Sequence, residues 1–212
     1  MREKSKHNYI LLLLIGITIL AAISVFLYSN GESGEGSDEL IVRIVLIPKG
    51  LDSANAFWSD VIEGAQMAAS EKNVELTVLG PSSETETRRQ NSMIEEAIEM
   101  RPDAIVLAPS NYTETLPYAR KVEEAGIKLV ILDSVMEEEA GCCLVATDNL
   151  KAGYQMGSYM KPYLNGESAI GIIGHVQGVS TAVEREQGIR DALGEYEKQI
   201  LDIRFCDSNY DK

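Results

Sequence analysis

From residue 40 onwards, short apolar runs alternate with longer amphipathic segments. The apolar runs are rich in Val, Ile and Leu and predict strands over residues 40–47, 75–79, 104–108, 128–133, 143–147, 169–173 and 200–205. Between them, apolar residues recur at helical spacing and predict helices over 57–73, 84–100, 115–125, 149–164 and 180–193. This alternation of strands and helices predicts parallel sheets with helices on both faces.

The alternation divides into two units that meet at an extended crossing near residue 147. One predicted strand ends on Asp133, and the next leads into Asp148 and Asn149, where an amphipathic segment begins. We therefore predict an α/β protein of two lobes, over 40–147 and 148–212, with a ligand cleft between them. The second lobe contains only two predicted strands, which is too little core. We expect it to be incomplete and the chain to be part of a longer protein.

The first 39 residues have a different pattern. Residues 9–28 form an apolar run that would span roughly 30 Å as a helix, the hydrocarbon thickness of a bilayer. Basic residues precede it and a tyrosine stands at each end, so we expect 1–28 to be an uncleaved anchor with the body outside the cell membrane. A cleaved signal segment is the alternative, because Ser29-Asn30-Gly31 offers a small-x-small cleavage pattern. Residues 29–39 are polar throughout and predict a flexible linker.

Charge and motif content exclude several classes of function. The formal net charge is −14 at pH 7, and so acidic a body repels phosphate backbones, which argues against a nucleic-acid partner. The two histidines and three cysteines lack metal-ligand spacing, and no HExxH, GxSxG or phosphate-binding glycine loop occurs. We therefore expect no metal, no cofactor and no catalysis. A disulfide between Cys142 and Cys143 stays open as an alternative outside the cell.

Seven segments resemble, in order and at natural spacing, the extracytoplasmic sugar-binding proteins of ABC importers, above all the ribose-binding type. They are IVLIPKG at 44–50, NAFW at 55–58, EGA at 63–65, PDAIVLAP at 102–109, GIKLVILDS at 126–134, TDNLKAG at 147–153 and STAVEREQG at 180–188. The resemblance covers residues 41–212 and implies the type I periplasmic-binding-protein fold. In that fold two Rossmann-like lobes are linked by three crossings and close on the ligand, and of these crossings we identify the first in this sequence.

The resemblance also implies which residues contact the ligand. Asn55, Phe57 and Trp58 follow the first strand, where the family uses an amide to bond hydroxyl groups and aromatic rings to cover the apolar face of a sugar. Asp133 matches an aspartate that accepts from hydroxyl groups, and Arg185 matches an arginine that reaches the ligand from the second lobe.

Other positions depart from the ribose-binding pattern or match it less specifically. Lys49 stands where ribose binders carry a small hydroxyl residue; it could reach a ligand oxygen or a carboxylate across the cleft, or be a solvated loop lysine. Thr147 matches a crossing residue that can contact the ligand, and Tyr210 stands where the second lobe offers a ring. Ser134 and Ala108 replace an arginine and an asparagine contact, so the identity of the sugar stays open.

Several of these assignments have a structural alternative. Trp58 could be a core residue of the first helical turn, Asp133 a turn residue, and Arg185 the partner of a neighbouring glutamate in a surface ion pair. His175 and Gln177 border the same mouth and are weaker candidates.

Three functions are compatible with such lobes. The first is a solute receptor that delivers a sugar-like ligand to an ABC permease. The second is a membrane-anchored ligand-sensing subunit for a histidine kinase. The third, a repressor core, requires a helix-turn-helix where this chain has an apolar N-terminal run, and is excluded. The sequence alone does not separate the first two.

Overall fold

A computed structural model describes residues 41–52 and 56–209. The predicted N-terminal anchor and linker, Asn55 and Tyr210 lie outside this range. Within the described residues, none of the helices has the length and apolarity needed to cross a bilayer.

Strands and helices alternate throughout the described part of the chain. The strands are β1 (Arg43–Ile47), β2 (Glu75–Val78), β3 (Ala104–Leu107), β4 (Lys128–Leu132), β5 (Cys143–Val145), β6 (Ile170–Gly174) and β7 (Ile200–Phe205). The helices are α1 (Ala56–Lys72), α2 (Thr87–Glu99), α3 (Leu116–Glu124), α4 (Asn149–Met160) and α5 (Ser180–Leu193), with 3-10 turns at Lys161–Tyr163 and Gly194–Gln199. Each predicted element is therefore present, and the largest difference is at α4, whose predicted end continues as a 3-10 turn.

The strands form two parallel sheets, one in each lobe. The first sheet has the order β2-β1-β3-β4-β5, and the second pairs β6 with β7. In the first sheet Ile47 pairs with Leu107, which pairs with Ile131, so β1, β3 and β4 end at the same level. The loops after these strands therefore meet at one edge of the sheet, which is where binding groups gather in open α/β folds. The predicted α/β class is confirmed.

The core of the first lobe lies between its sheet and helices α2 and α3. Its buried side chains include Val45, Ile94, Ile105, Val122 and Leu129. Burying side chains of this size contributes about 1.5–3 kcal/mol each, which fixes the strands as a rigid platform for the loops at their carboxyl ends. The second lobe has a smaller core around Ile170, Ile189 and Leu193.

Helices α4 and α5 of the second lobe approach each other through glycines. A Cβ atom at Gly153 would lie 2.0 Å from the carbonyl oxygen of Arg185, and one at Gly188 would lie 2.0 Å from the carbonyl oxygen of Leu150. Only glycine is compatible with backbones this close. Because Arg185 is part of this contact, the glycines also fix its position relative to Asn149, the first residue of α4.

Candidate functional site

A cavity of about 260 Å³ opens where the two lobes face each other. The first lobe contributes Lys49, Phe57, Trp58, Glu84 and Asp133, and the second contributes His175, Thr181, Arg185, Cys206 and Ser208. Five of the eight residues predicted to bind ligand thus lie around one hollow. Thr147 is exposed and does not line this cavity, so its contact stays a prediction, as do those of Asn55 and Tyr210.

Lys49 is buried at the base of the cavity. Its side chain is 1% exposed, its Nζ lies 2.7 Å from Oδ2 of Asp133, and it also donates to Oγ of Ser134. The Ser134 hydroxyl in turn donates to Oδ2 of Asp133 at 3.0 Å. Burial excludes the solvated loop lysine that the sequence left open. The three side chains form a closed group within the first lobe.

Asp133 has an unusual backbone conformation. Its φ is 64°, in the left-handed region, and the N–H of Ser134 donates to the carbonyl of Leu132 at 2.7 Å. This bond across one residue makes Asp133 the centre of a γ-turn with positive φ, a rare and strained arrangement. Strain of this kind costs of the order of 1–3 kcal/mol and persists only where the surroundings impose it. The turn directs the carboxylate into the cavity instead of continuing the strand.

The aromatic wall of the cavity has a buried and an exposed ring. Trp58 is 2% exposed and its Nε1–H donates to Oε1 of Glu84 at 2.8 Å. Phe57 is 51% exposed, and the two rings meet edge to face with centroids 4.9 Å apart. Trp58 therefore packs as a core residue and also lines the cavity, while Phe57 offers the larger free surface.

Arg185 reaches the cavity from α5. Its Nε donates to Oδ1 of Asn149 at 2.8 Å, and Nδ2 of Asn149 donates to the carbonyl of Thr147 at 3.0 Å. The asparagine thus connects the arginine to the backbone of the crossing. Glu186, an alternative partner for Arg185, pairs with Arg190 instead, at 2.8 Å.

His175 lines the cavity, and its surroundings shift its pKa. Its Nε2 lies 2.8 Å from Oγ1 of Thr181. Burial is the main cause that lowers the pKa of His175, and the positive charges of Lys49 and Arg185 lower it further, while the nearby carboxyl groups oppose the shift without reversing it. The imidazole is therefore neutral near pH 7. Among the described residues, the charged side chains that line the cavity are those of Lys49, Arg185, Glu84 and Asp133.

A buried glutamine fixes the ends of two strands beside the cavity. The Nε2 of Gln90 donates to the carbonyls of Pro48 at 3.0 Å and Ala108 at 2.8 Å, and its Oε1 accepts from the N–H of Ser110 at 2.9 Å. This side chain on α2 is fully buried. Its three hydrogen bonds hold the loops after β1 and β3 in register.

Sequence reasoning missed Glu84, Thr181, Cys206 and Ser208 as lining residues. Glu84 was expected at the start of a helix, but α2 begins at Thr87 and leaves Glu84 in the preceding turn. No motif marks that turn. Cys206 and Ser208 follow β7, and the rule that loops after parallel strands gather at one edge could have identified them.

Comparison with known proteins agrees with the family resemblance seen in the sequence. A sequence profile of the family described as "Periplasmic binding protein domain" matches residues 44–211. The D-ribose/D-allose-binding protein of Pseudomonas aeruginosa is 29% identical over 199 residues, covering 90% of this chain and 61% of that protein. The xylitol-binding protein of Mycolicibacterium smegmatis is 26% identical over 166 residues, covering 78% of this chain and 46% of that protein.

Solved structures agree with these matches. A sugar transporter from Clostridium phytofermentans is 40% identical with a TM-score of 0.77, covering 80% of this chain and 63% of that chain. An ABC transporter solute binding protein from Agrobacterium vitis, solved with bound D-fucose, is 30% identical with a TM-score of 0.72, covering 78% of this chain and 58% of that chain. The chain spans about 60% of the length of several of these relatives.

Proposed function

Because this chain belongs to the periplasmic binding protein domain family, we propose that it binds a small sugar in the cleft between its lobes and presents it to an ABC permease. The observation that carries this proposal is the convergence of Trp58, Asp133 and Arg185, from three separate segments, on one cavity. No observation favours the histidine-kinase alternative, and it is not proposed further.

The chemistry of the lining supports a sugar-like ligand. Asp133 supplies a carboxylate that accepts from hydroxyl groups, and Arg185 supplies a planar fork of donors for ligand oxygens. Phe57 supplies an exposed ring for the apolar C–H face. Among the described lining residues, two positive and two negative side chains balance, which favours a neutral ligand over a charged one.

The size of the cavity supports a small ligand. Its volume of about 260 Å³ lies below the range of roughly 300–1,000 Å³ that is usual for drug-sized molecules. A monosaccharide or a short polyol fits that limit better than an oligosaccharide. The relatives named for ribose, allose and xylitol, and the one solved with fucose, make such compounds the first candidates to test.

The mechanism we propose is ligand-dependent closure outside the cytoplasm. A ligand that contacts both lobes has higher affinity for the closed form and shifts the hinge equilibrium towards it. Closure then requires the crossing near Thr147 to bend, and Asn149 connects that crossing to Arg185. The predicted segment over 9–28 would keep the protein at the membrane surface. We propose no catalytic role.

The experiment is isothermal titration calorimetry of the intact protein, with both lobes complete, against D-ribose, D-allose, D-fucose and xylitol. For whichever compound binds, Asp133→Ala and Arg185→Ala should each weaken binding by about 1.5–3 kcal/mol, the range for hydrogen bonds to charged groups. The exposed pair Arg204 and Asp202 on β7 provides matched controls, because replacing either by alanine removes the same charge from a side chain that does not line the cavity. Unchanged affinity in both Asp133→Ala and Arg185→Ala would contradict the assignment of this site.

A further inference from the structure

Of the three positions at which this chain departs from the ribose-binding pattern, Lys49 and Ser134 are hydrogen-bonded to each other and Ala108 follows the strand between them. β3 lies between β1 and β4 in the sheet. Adjacent strands are about 4.8 Å apart, so the loop after β1 is roughly 10 Å from the loop after β4. Lys49 must therefore cross the end of β3 to reach Asp133 and Ser134. The residue at that end is Ala108, which is fully buried and has a single methyl side chain.

We propose that Lys49 is a positioning residue, which passes over Ala108 and holds the Asp133 carboxylate so that its Oδ1 is presented to a ligand hydroxyl. This inference rests on the proposed function, because it assigns a role within the same cavity. It differs from a direct contact between Lys49 and the ligand, and it explains Lys49, Ala108 and Ser134 as one coupled set.

The hydrogen bonds of the group support this division of roles. Among the described residues, the hydrogen bonds that reach the Asp133 carboxylate end on Oδ2, from Lys49 and from Ser134. An ammonium group has three donors, and two of those of Lys49 are used inside the lobe. With respect to the described part of the chain, Oδ1 therefore keeps its lone pairs for the ligand.

The buried Lys49 ammonium and the γ-turn at Asp133 each need a strong partner within the first lobe. A buried ammonium without a counter-charge is strongly unfavourable, so Lys49 at 1% exposure depends on Asp133. Conversely, the γ-turn at Asp133 has a φ of 64° and needs a fixed attachment to persist. The ion pair meets both requirements. It fixes the orientation of the carboxylate before the ligand arrives, so that binding does not have to order it.

The first test is independent of any ligand. Thermal unfolding is measured for wild type, Lys49→Met, Asp133→Gly and the double variant of the full chain. Asp133→Gly leaves the buried Lys49 ammonium without its partner, and Lys49→Met leaves the strained turn at Asp133 unsupported. Each single variant should therefore unfold about 6–12 °C below wild type. The double variant should unfold no lower than either single variant. Lys121→Met is the matched control, because it removes an exposed ion pair with Glu95 and should shift unfolding by less than about 3 °C. Additive effects of Lys49→Met and Asp133→Gly would overturn the proposal.

The second test separates positioning from direct contact. D-ribose and its 2-, 3- and 5-deoxy analogues are titrated into wild type, Lys49→Met, Ser134→Ala and Asp133→Asn. If Lys49 acts through Asp133, all three variants lose discrimination against the same deoxy analogue, and Lys49→Met weakens D-ribose binding about tenfold or more. If Lys49→Met and Asp133→Asn lose discrimination against different analogues, Lys49 contacts the ligand itself and the proposal is wrong.

The two tests also distinguish failure of this inference from failure of the proposed function. If neither D-ribose nor D-allose binds wild type, the same titrations are made with the compound that does bind in the sugar panel. Absence of binding of the whole panel to the intact protein, with both lobes complete, contradicts the proposed function, whereas the unfolding cycle on this chain still decides whether Lys49 and Asp133 are coupled. Ala108→Asn gives an independent check: a larger side chain at the end of β3 should obstruct Lys49 and reproduce the loss of stability of Lys49→Met.

Discussion

The close contact between α4 and α5 predicts that one methyl group added at Gly188 will lower the stability of the chain strongly. In Gly188→Ala the new Cβ would lie 2.0 Å from the carbonyl oxygen of Leu150 and 2.6 Å from the backbone nitrogen of Tyr154, whereas ordinary contact begins near 3.4 Å. Both atoms belong to the α4 backbone and cannot turn aside as a side chain can. The helices would have to separate by more than about 1 Å, since packed interiors do not absorb such an overlap locally.

The expected cost can be worked out from this geometry. Overpacking of a core costs about 1–3 kcal/mol, and a clash with backbone belongs at the upper end of that range. For a chain of this size each kcal/mol lowers the unfolding temperature by roughly 2–4 °C, so Gly188→Ala should lower it by about 6–12 °C. Separation of the helices would also lengthen the 2.8 Å bond from Arg185 to Asn149 beyond hydrogen-bonding distance, which should weaken sugar binding as well.

The assay is thermal unfolding followed by circular dichroism, with Gly64→Ala as the control. Gly64 also lies inside a helix, but a Cβ there would meet nothing within 4 Å. Alanine is favoured over glycine in a helix by about 0.5–1 kcal/mol, so the control should be slightly more stable than wild type. If Gly188→Ala unfolds at the wild-type temperature or above it, the close approach of α4 and α5 is wrong.

Three further predictions concern single side chains around the cavity. Asp133→Gly should be more stable towards urea than Asp133→Ala by about 1 kcal/mol, because alanine is strained at the φ of 64° and glycine is not; equal stabilities would remove the case for strain. Glu84→Leu should destabilise the chain by about 1–3 kcal/mol in urea by leaving the buried Trp58 N–H without its acceptor, whereas Glu84→Gln keeps an acceptor and should cost less; equal losses would contradict this. Because the pKa of His175 is lowered in the folded protein, the unfolded chain binds the proton of this side chain more readily. The free energy of unfolding should therefore decline as pH falls below about 6.5. His175→Gln should reduce that decline when unfolding is compared at pH 7.5 and pH 5.5. If wild type and His175→Gln lose the same stability between pH 7.5 and pH 5.5, the prediction for His175 is wrong.

Periodicity was sufficient to predict the architecture because each strand and helix carries its own signal. Strands such as β1 and β4 are nearly continuous apolar runs, as expected for parallel strands covered on both faces. The helix boundaries were less certain, since residues 84–86 have no apolar residue that would show where α2 begins. Propensity alone favours extending the helix there, and the turn that carries Glu84 was missed.

The site was predictable where it follows from topology and not where it depends on side-chain partners. Asp133 and Trp58 follow strands whose carboxyl ends meet, so their proximity could be inferred. The burial of Lys49 could not, because its partners are 84 and 85 residues away in the chain and lie two strands across the sheet. The left-handed conformation of Asp133 was equally hidden, since aspartate is compatible with both a capping role and a γ-turn.

The left-handed turn at position 133 limits how this cleft can change its preference during evolution or redesign. Few residue types adopt such a backbone readily, chiefly glycine, asparagine and aspartate, and of these only aspartate supplies a charged acceptor. A longer acid such as glutamate would have to occupy the same disfavoured conformation with a side chain of different reach. New ligand preferences should therefore arise by exchange at positions 49, 108 and 134, around an aspartate that stays fixed.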